Sequence, residues 1–351
     1  MNRTTTLLKL LGTKLPLIQA PMAGVQSSRL TLAACHAGAL GSLPAAMLPP
    51  EKLCAEIETI RRHTDQPFNI NFFAHKQPEY QPQQQAEWLA VLAPFYRAFG
   101  LTEHDIKSGG GRQPFSNEQA EIVMAYKPPV VSFHFGLPDQ PLLDKVKSSG
   151  AVVMSTATTV AEACLLADKG ADIVIAQGLE AGGHRGTFMD EAQAHQAGLF
   201  SLLPQVCEAV ALPVVAAGGI SNEATARAAR ALGAAGIQIG TALLSADEAD
   251  TSERHRAALQ SPRAADTVLT NVFSGGLARG IRNRFIREAG PVNPAAPPFP
   301  LAQSASAPLR AAAEAQGTDE FSPLWAGQNA VLAQAGSAAD IIMRLAAAFA
   351  G

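Results

Sequence analysis

The strongest constraint on how this chain folds is a rhythm. Eight short, apolar, β-rich runs recur with helical patterns between them: "LPLIQAPMAG" (15–24), "GALGSL" (38–43), "FNINFF" (68–73), "VVSFHFG" (130–136), "AVVMSTA" (151–157), "DIVIAQG" (172–178), "PVVAAGGI" (213–220) and "GIQIGTALL" (236–244). Most are apolar on both faces, as a parallel strand covered on each side would be. The starts at 130, 151 and 172 lie about 21 residues apart, one strand plus one crossover helix. The cleanest crossover, "TVAEACLLADKGA" (159–171), has apolar positions at three-to-four spacing and stops at Gly170. Eight such units without a Rossmann fingerprint predict an α/β fold of the (β/α)8 TIM-barrel type, not an open doubly wound sheet.

Two segments break the rhythm. Residues 78–128 hold "QPEYQPQQQ", a helix-like "AEWLAVLAPFYRAFG" and the loop "SGGGRQPFSNEQ"; residues 250–335 contain "GPVNPAAPPFP", which no regular helix or central strand accommodates. Both read as helical insertions over one mouth of the barrel, and "SAADIIMRLAAAFA" as a closing helix. The expected organisation is a barrel domain over 1–250 and 336–351 with an insertion at 78–128, and a smaller helical substrate or cap domain over 251–335.

Bulk composition narrows the class. With 351 residues, 47% of them hydrophobic and 16% charged, the chain has material for a large core. Its 27 basic and 30 acidic residues give a net charge of −3 without a basic run, which argues against nucleic-acid binding. No run approaches the ~20 apolar residues of a membrane span, and the amino terminus is a poor signal peptide, so a cytoplasmic protein is expected. Cys35, Cys54, Cys164 and Cys207 are widely separated within helical stretches and read as small buried hydrophobes.

A barrel of this kind places its chemistry at the C-terminal strand ends. Those ends hold no lysine set for a Schiff base, no carboxylate pair and no metal-ligand spacing, so no metal is expected. Glycines, amides and a few histidines remain, which points to reactivity borrowed from a cofactor. Gly218 and Gly219 run into a helix with Ser221 near its N-cap, and Gly240 and Thr241 form a second open turn. Phosphate binding after strands seven and eight is the recurrent barrel arrangement. Asn71 and Gln177 are neutral amides at strand ends, matched to a flavin's pyrimidine edge, and Asn69 shares the inward face with Asn71 at period two. In "EAGGHRG", Gly182 and Gly183 let the backbone lie against a flat ring and let His184 project over it as a proton acceptor or anion partner. His134 reads equally well as a pocket or a core histidine, and Arg185 and Glu180 as a loop ion pair. Arg279, Arg282 and Arg284 suit a small anion.

The blocks "QAPMAGV", "FNINFF", "QGLEAGGHRGTF", "AAGGI", "QIGTALL", "FSGGLARGIRNRF" and "PLWAGQ" together resemble the nitronate monooxygenases, formerly 2-nitropropane dioxygenases, of the class I bacterial type. The resemblance implies an FMN-binding TIM barrel. It carries FMN contacts onto Met22, Asn71, Gln177, Gly182, Gly219 and Gln238, Ile239, Gly240 and Thr241, and the catalytic role onto His184. It implies oxidation of alkyl nitronates such as propionate 3-nitronate by O2 through a flavin semiquinone, with a nitronate or nitroalkane and O2 as partners, in a monomer or homodimer. The sequence departs from the family at Gly276, where many relatives carry Arg. Its three tyrosines, Tyr80, Tyr96 and Tyr126, all lie outside the C-terminal region that often lines the pocket with them. An NAD(P)H-dependent quinone reductase and an enoyl-acyl-carrier-protein reductase share "EAGGH"-like blocks, and a non-catalytic flavin-binding protein is the reading from another class. One phosphate site without G-x-G-x-x-G predicts that denaturation releases FMN and not FAD, checked by chromatography of the released flavin.

Overall fold

The computed structural model describes residues 2–106, 112–189 and 195–351. All eight apolar runs contain strands: β1 (Leu17–Gln19), β2 (Gly41–Pro44), β3 (Phe68–Phe73), β4 (Val130–His134), β5 (Val152–Ala157), β6 (Ile173–Gln177), β8 (Val214–Ala217) and β9 (Gly236–Ile239). They form one all-parallel sheet in the order β1-β9-β8-β6-β5-β4-β3-β2. The edges β1 and β2 meet at a single parallel bridge, Ile18 to Leu40, with Leu40 N–H donating to Leu17 O at 3.0 Å and Gln19 N–H to Leu40 O at 2.9 Å. Side-chain amides complete this seam. The buried Gln19 accepts from Ser42 N–H at 2.8 Å, and Gln26 donates to Ser42 O at 2.7 Å. Gln26 also accepts from Met22 N–H at 2.8 Å, so the same seam fixes the loop after β1.

The barrel interior changes character with height. Its floor is apolar, built from Ile18, Leu40, Val130, Met154, Ile173, Ile175 and Val215, with Leu7 and Leu11 of the helix Arg3–Leu11 packed into it. Above the floor is a polar layer. Asn69 Nδ2 donates to Ser42 Oγ at 3.1 Å and to Ser132 Oγ at 2.8 Å, and Asn71 Nδ2 donates to Ser132 Oγ at 2.9 Å. The outer face of the sheet packs on the crossover helices, such as Val160–Asp168, whose Thr159 cap accepts from Glu162 N–H. The closing helix Ala338–Ala350 lies against Glu223–Ala231 and Ser28–His36. Each cysteine is free and helical, but only Cys35 and Cys207 are buried; Cys54 and Cys164 sit at helix positions half open to solvent.

The two arrhythmic segments pack on each other. Trp88, Leu92, Phe95 and Tyr96 of the helix Pro82–Phe99 share a core with Val272, Phe273, Phe285, Leu309 and Phe321, and Tyr96 donates its hydroxyl to Ala305 O at 2.6 Å. The expectation of a helical cap needs correction. At its centre is a three-stranded antiparallel sheet in which β11 (Ala278–Ile281) lies between β10 (Thr267–Thr270) and β7 (Gly183–His184). These strands are two to four residues long and include Gly280 and Arg279, so no alternating pattern announces them.

Gly41 shows how closely strand and helix approach. A Cβ there would lie 2.8 Å from Cys35 Sγ and closer still to the Thr31 carbonyl. Gly41→Ala is expected to cost about 1–3 kcal/mol through overpacking, read as a lower urea midpoint at unchanged slope.

Candidate active site

A cavity opens at the C-terminal ends of the barrel strands, with about 1370 Å³ of free space including its mouth. Met22, Asn71, Gln177, Gly182, Gly183, His184, Gly218, Gly219, Gln238, Gly240 and Thr241 line it together. Two expected residues do not. Asn69 is fully buried one layer below, and Ile239 points outward into the helix-facing core.

His184 stands on a loop held from every side. Gln177 Nε2 donates to His184 O at 3.0 Å, and Gln177 Oε1 accepts from Gly186 N–H at 2.8 Å. The Gln177 carboxamide therefore positions this loop, where the sequence suggested an amide free for a flavin edge. His134 approaches the same carbonyl with Nε2 at 3.2 Å. That nitrogen must be the donor, so Nδ1 accepts from Thr156 Oγ1 at 3.2 Å. The buried Glu162 accepts from Phe188 N–H at 2.7 Å, Met189 N–H at 3.2 Å, and Thr158 N–H and hydroxyl at 2.7 Å each.

Arg185 and Glu180 are not an ion pair. Arg185 donates to the carbonyls of Gly178 and Gln177, and Glu180 accepts from Leu199 N–H at the start of the helix Leu199–Ala209. Gly182 lies so close to the 326–327 backbone that a Cβ would come 2.5 Å from Gly327 N, while Gly183 adopts φ +73°. The glycines thus serve the protein's own packing before any ligand's.

His184 Nε2 lies 2.8 Å from Ser274 Oγ, and its ring contacts Phe299 at 5.1 Å and Trp325 at 5.4 Å between centroids. Burial, then the nearby Arg112 cation, then His134, hold its pKa well below the usual value, so the ring is neutral at pH 7. Burial likewise lowers His134 and His255 to about 4.

The glycine turns after β8 and β9 have an anion-cradle character. The amides of Gly219, Ile220, Gly240 and Thr241 find no acceptor among the described residues. Asn222, and not Ser221, caps the following helix, and the Ser221 and Asn222 amides both donate to Thr225 Oγ1, which corrects the expectation of open N–H groups there. The segment 325–329 stitches the two turns together: Gly327 N–H donates to Thr241 Oγ1 at 2.9 Å, and Asn329 Nδ2 to Gly219 O at 2.6 Å. Gln238 Oε1 is buried without a donor among the described residues. Such an acceptor and four open amides fit a phosphorylated, hydrogen-bonding ring cofactor.

Sequence reasoning missed several residues around His184. Ser274 and Trp325 lie inside the quoted family blocks, but nothing in their spacing marks them as contacts of His184. Phe135, at φ +68°, and Phe299 pack 4.9 Å apart between ring centroids. Arg112, in the loop of the insertion, also lines the cavity. The expected arginines do not. Arg279 donates to Leu179 O and Thr267 O, Arg282 pairs with Asp266 at 2.7 Å and Arg284 with Glu288 at 2.8 Å.

A parallel barrel with this cradle and a clamped histidine over its mouth defines a flavin-dependent oxidoreductase. The sequence profile of nitronate monooxygenase matches residues 4–348. The chain is 40% identical over 340 residues to a nitronate monooxygenase of Pseudomonas aeruginosa, covering 96% of this chain and 97% of that one. It is 39% identical to one of Paraburkholderia phytofirmans, covering 97% and 93%. It superimposes on the structure of nitroalkane oxidase from Streptomyces ansochromogenes with a TM-score of 0.88 at 39% identity, covering 98% and 97%. A mutant FabK from Thermotoga maritima follows at 0.72 and 25%, covering 98% and 96%. The chain belongs to the nitronate monooxygenase family. No described helix is long and apolar enough to cross a membrane.

The lowered histidines give a pH prediction. His134 and His255 have folded pKa values near 4 against 6.5 unfolded, so the unfolded chain binds more protons between those limits. Their stabilisation is complete above pH 6.5 and is lost as pH falls towards 4, by roughly 1.4 kcal/mol per unit and histidine. In urea unfolding from pH 7.5 to 5, His134→Gln is expected to show the shallower decline.

Proposed function

We propose that this protein oxidises alkyl nitronates, propionate 3-nitronate among them, with O2 at a bound FMN, giving a carbonyl product and nitrite. The observation that carries the reading is a neutral histidine fixed by its backbone in a cavity whose described lining residues include Phe73 and Trp325 and no carboxylate. The open amides of Gly219, Ile220, Gly240 and Thr241 would hold the phosphate, and Asn71 and Gln238 the ring or its polyol chain. FMN supplies the redox chemistry, accepting electrons from the substrate and returning them to oxygen.

His184 has two uses in such a site. Neutral, it accepts the proton from the carbon of a nitroalkane; protonated, it hydrogen-bonds the nitronate anion. An arriving anion offsets the nearby cation that depresses the ring, so basicity rises as substrate binds. Ser274 fixes the ring plane, and Phe73 and Trp325 of the lining would limit bulk water at the carbanion-like centre. The reading implies small partners only, in a cytoplasmic enzyme.

The competing reading is a flavin reductase fed by NAD(P)H, which the likeness to FabK favours. Anaerobic mixing separates the two. Nitronate is expected to bleach the bound flavin rapidly, while NADH and NADPH do so slowly and without saturation at millimolar concentration; the reverse result removes the monooxygenase reading. His184→Asn should retain flavin, lose about 10²-fold or more with a neutral nitroalkane, and lose less with the pre-formed nitronate. Equal, small losses with both substrates would show that His184 is not the base.

A further inference from the structure

The cavity contains one charged group that this chemistry leaves unused. Arg112 lines it with its guanidinium carbon 5.6 Å from the centroid of Phe299, the ring that also lies 5.1 Å from His184. Arg112 Nε and Nη1 are buried and have no hydrogen-bond partner among the described residues, and no described carboxylate pairs with the group. The buried arginines near the site, Arg185 and Arg279, differ in this respect, because both are bonded to main-chain carbonyls.

A guanidinium remains charged under all ordinary conditions, and a buried one without acceptors is unfavourable until a ligand supplies them. Burial and the like charge of Arg310 lower Arg112 only to about 10, which leaves it cationic at neutral pH. Among the described lining residues there is no Asp, Glu or Lys, and His134, His184 and His255 are all shifted towards the neutral form. Among the described residues Arg112 is therefore the one permanent charge lining this space. The guanidinium carbon lies over the Phe299 ring, a cation contact that fixes where this charge sits.

We infer that Arg112 is a specificity-determining residue that binds an oxyanion of the substrate, a nitronate or carboxylate oxygen pair, over Phe299 and beside His184. The inference takes the cavity as the substrate site of the proposed function, but it does not require that reaction to occur. It makes the site select ionised over neutral substrates and makes small planar oxyanions competitive ligands.

The test uses the full chain with its flavin bound and nitrate as the probe, at constant ionic strength, followed by the flavin difference spectrum and by thermal unfolding. Wild-type protein should bind nitrate saturably. Arg112→Gln should bind it at least tenfold more weakly, the scale of one charged hydrogen bond, and Arg112→Lys to an intermediate degree. Arg282→Gln, on the surface beside Asp266, should bind as wild type. With nitronate as substrate, Arg112→Gln should raise KM about tenfold while kcat changes much less.

Nitrate affinity unchanged in both Arg112 variants, no saturable nitrate binding by wild type, or flavin loss as the sole effect of Arg112→Gln would each overturn the inference. Should Arg112→Gln fail to fold, Arg112→Lys alone decides, because a point charge cannot reproduce the planar fork. Nitrate binding that depends on Arg112 in a protein that does not oxidise nitronates would sustain the anion site and remove the proposed reaction.

Discussion

The polar backbone leaving β6 has to be satisfied in a half-buried turn, and the rest of the site depends on how this is done. Within seven residues the chain passes from the buried end of a barrel strand, at Gln177, to the edge of a second sheet, at His184. Neither ladder covers the turn between them. One carboxamide closes it, Gln177 bonding both to His184 O and to Gly186 N–H, while Glu162 anchors the chain just beyond it through Phe188 and Met189. A neutral hydrogen bond contributes only about 1 kcal/mol when made, but a buried group left unpaired costs more. The loop is therefore held by the expense of every alternative, and its members reinforce one another.

Electrostatics follows from the same burial. In a poorly solvated cavity the neutral forms of His134 and His184 are favoured, whereas a guanidinium has no neutral form within reach and keeps its charge. Among the described residues, the result is a space with one fixed positive charge and titratable groups that respond to whatever anion enters. The aromatic wall sharpens this. The family resemblance suggests tyrosine hydroxyls from the C-terminal region, and that region has no tyrosine here, so fewer groups remain to read a substrate's polarity.

The barrel is legible from sequence because burial on both faces leaves a continuous apolar signature, and each of the eight runs contains a strand. The small sheet of the cap is not, since Gly183–His184 and Ala278–Ile281 are too short and too polar to show a period. Site residues at strand ends, such as Asn71, Gln238 and Gly240, are legible because topology alone puts them at one mouth. Depth is not: Asn69 and Asn71 share a face at period two, but only the register with Ser132 shows which reaches the cavity. Nor does sequence say what a polar side chain bonds to, so Gln177 resembles a ligand contact and Arg279 an anion site. Arg112 was hidden for the opposite reason. It lies in an insertion whose sequence reads as plain loop, and only tertiary packing brings it over Phe299.

The pairing of Ala278 with His184 has a consequence for how such enzymes diverge. Side chains on a strand alternate in direction, so a slip of one residue would turn His184 away from the cavity. A strand of two residues cannot enforce its own alignment; the partner β11 does so, and β11 belongs to the part of the chain outside the repeating barrel. The orientation of the principal side chain is thus written about ninety positions away from it. Insertions or deletions in the hairpin between Thr270 and Ala278 would silence or re-aim the histidine with every barrel residue unchanged, and compensating changes there would restore it. In this architecture the peripheral sheet is the adjustable element, and the barrel is the constant against which it is set.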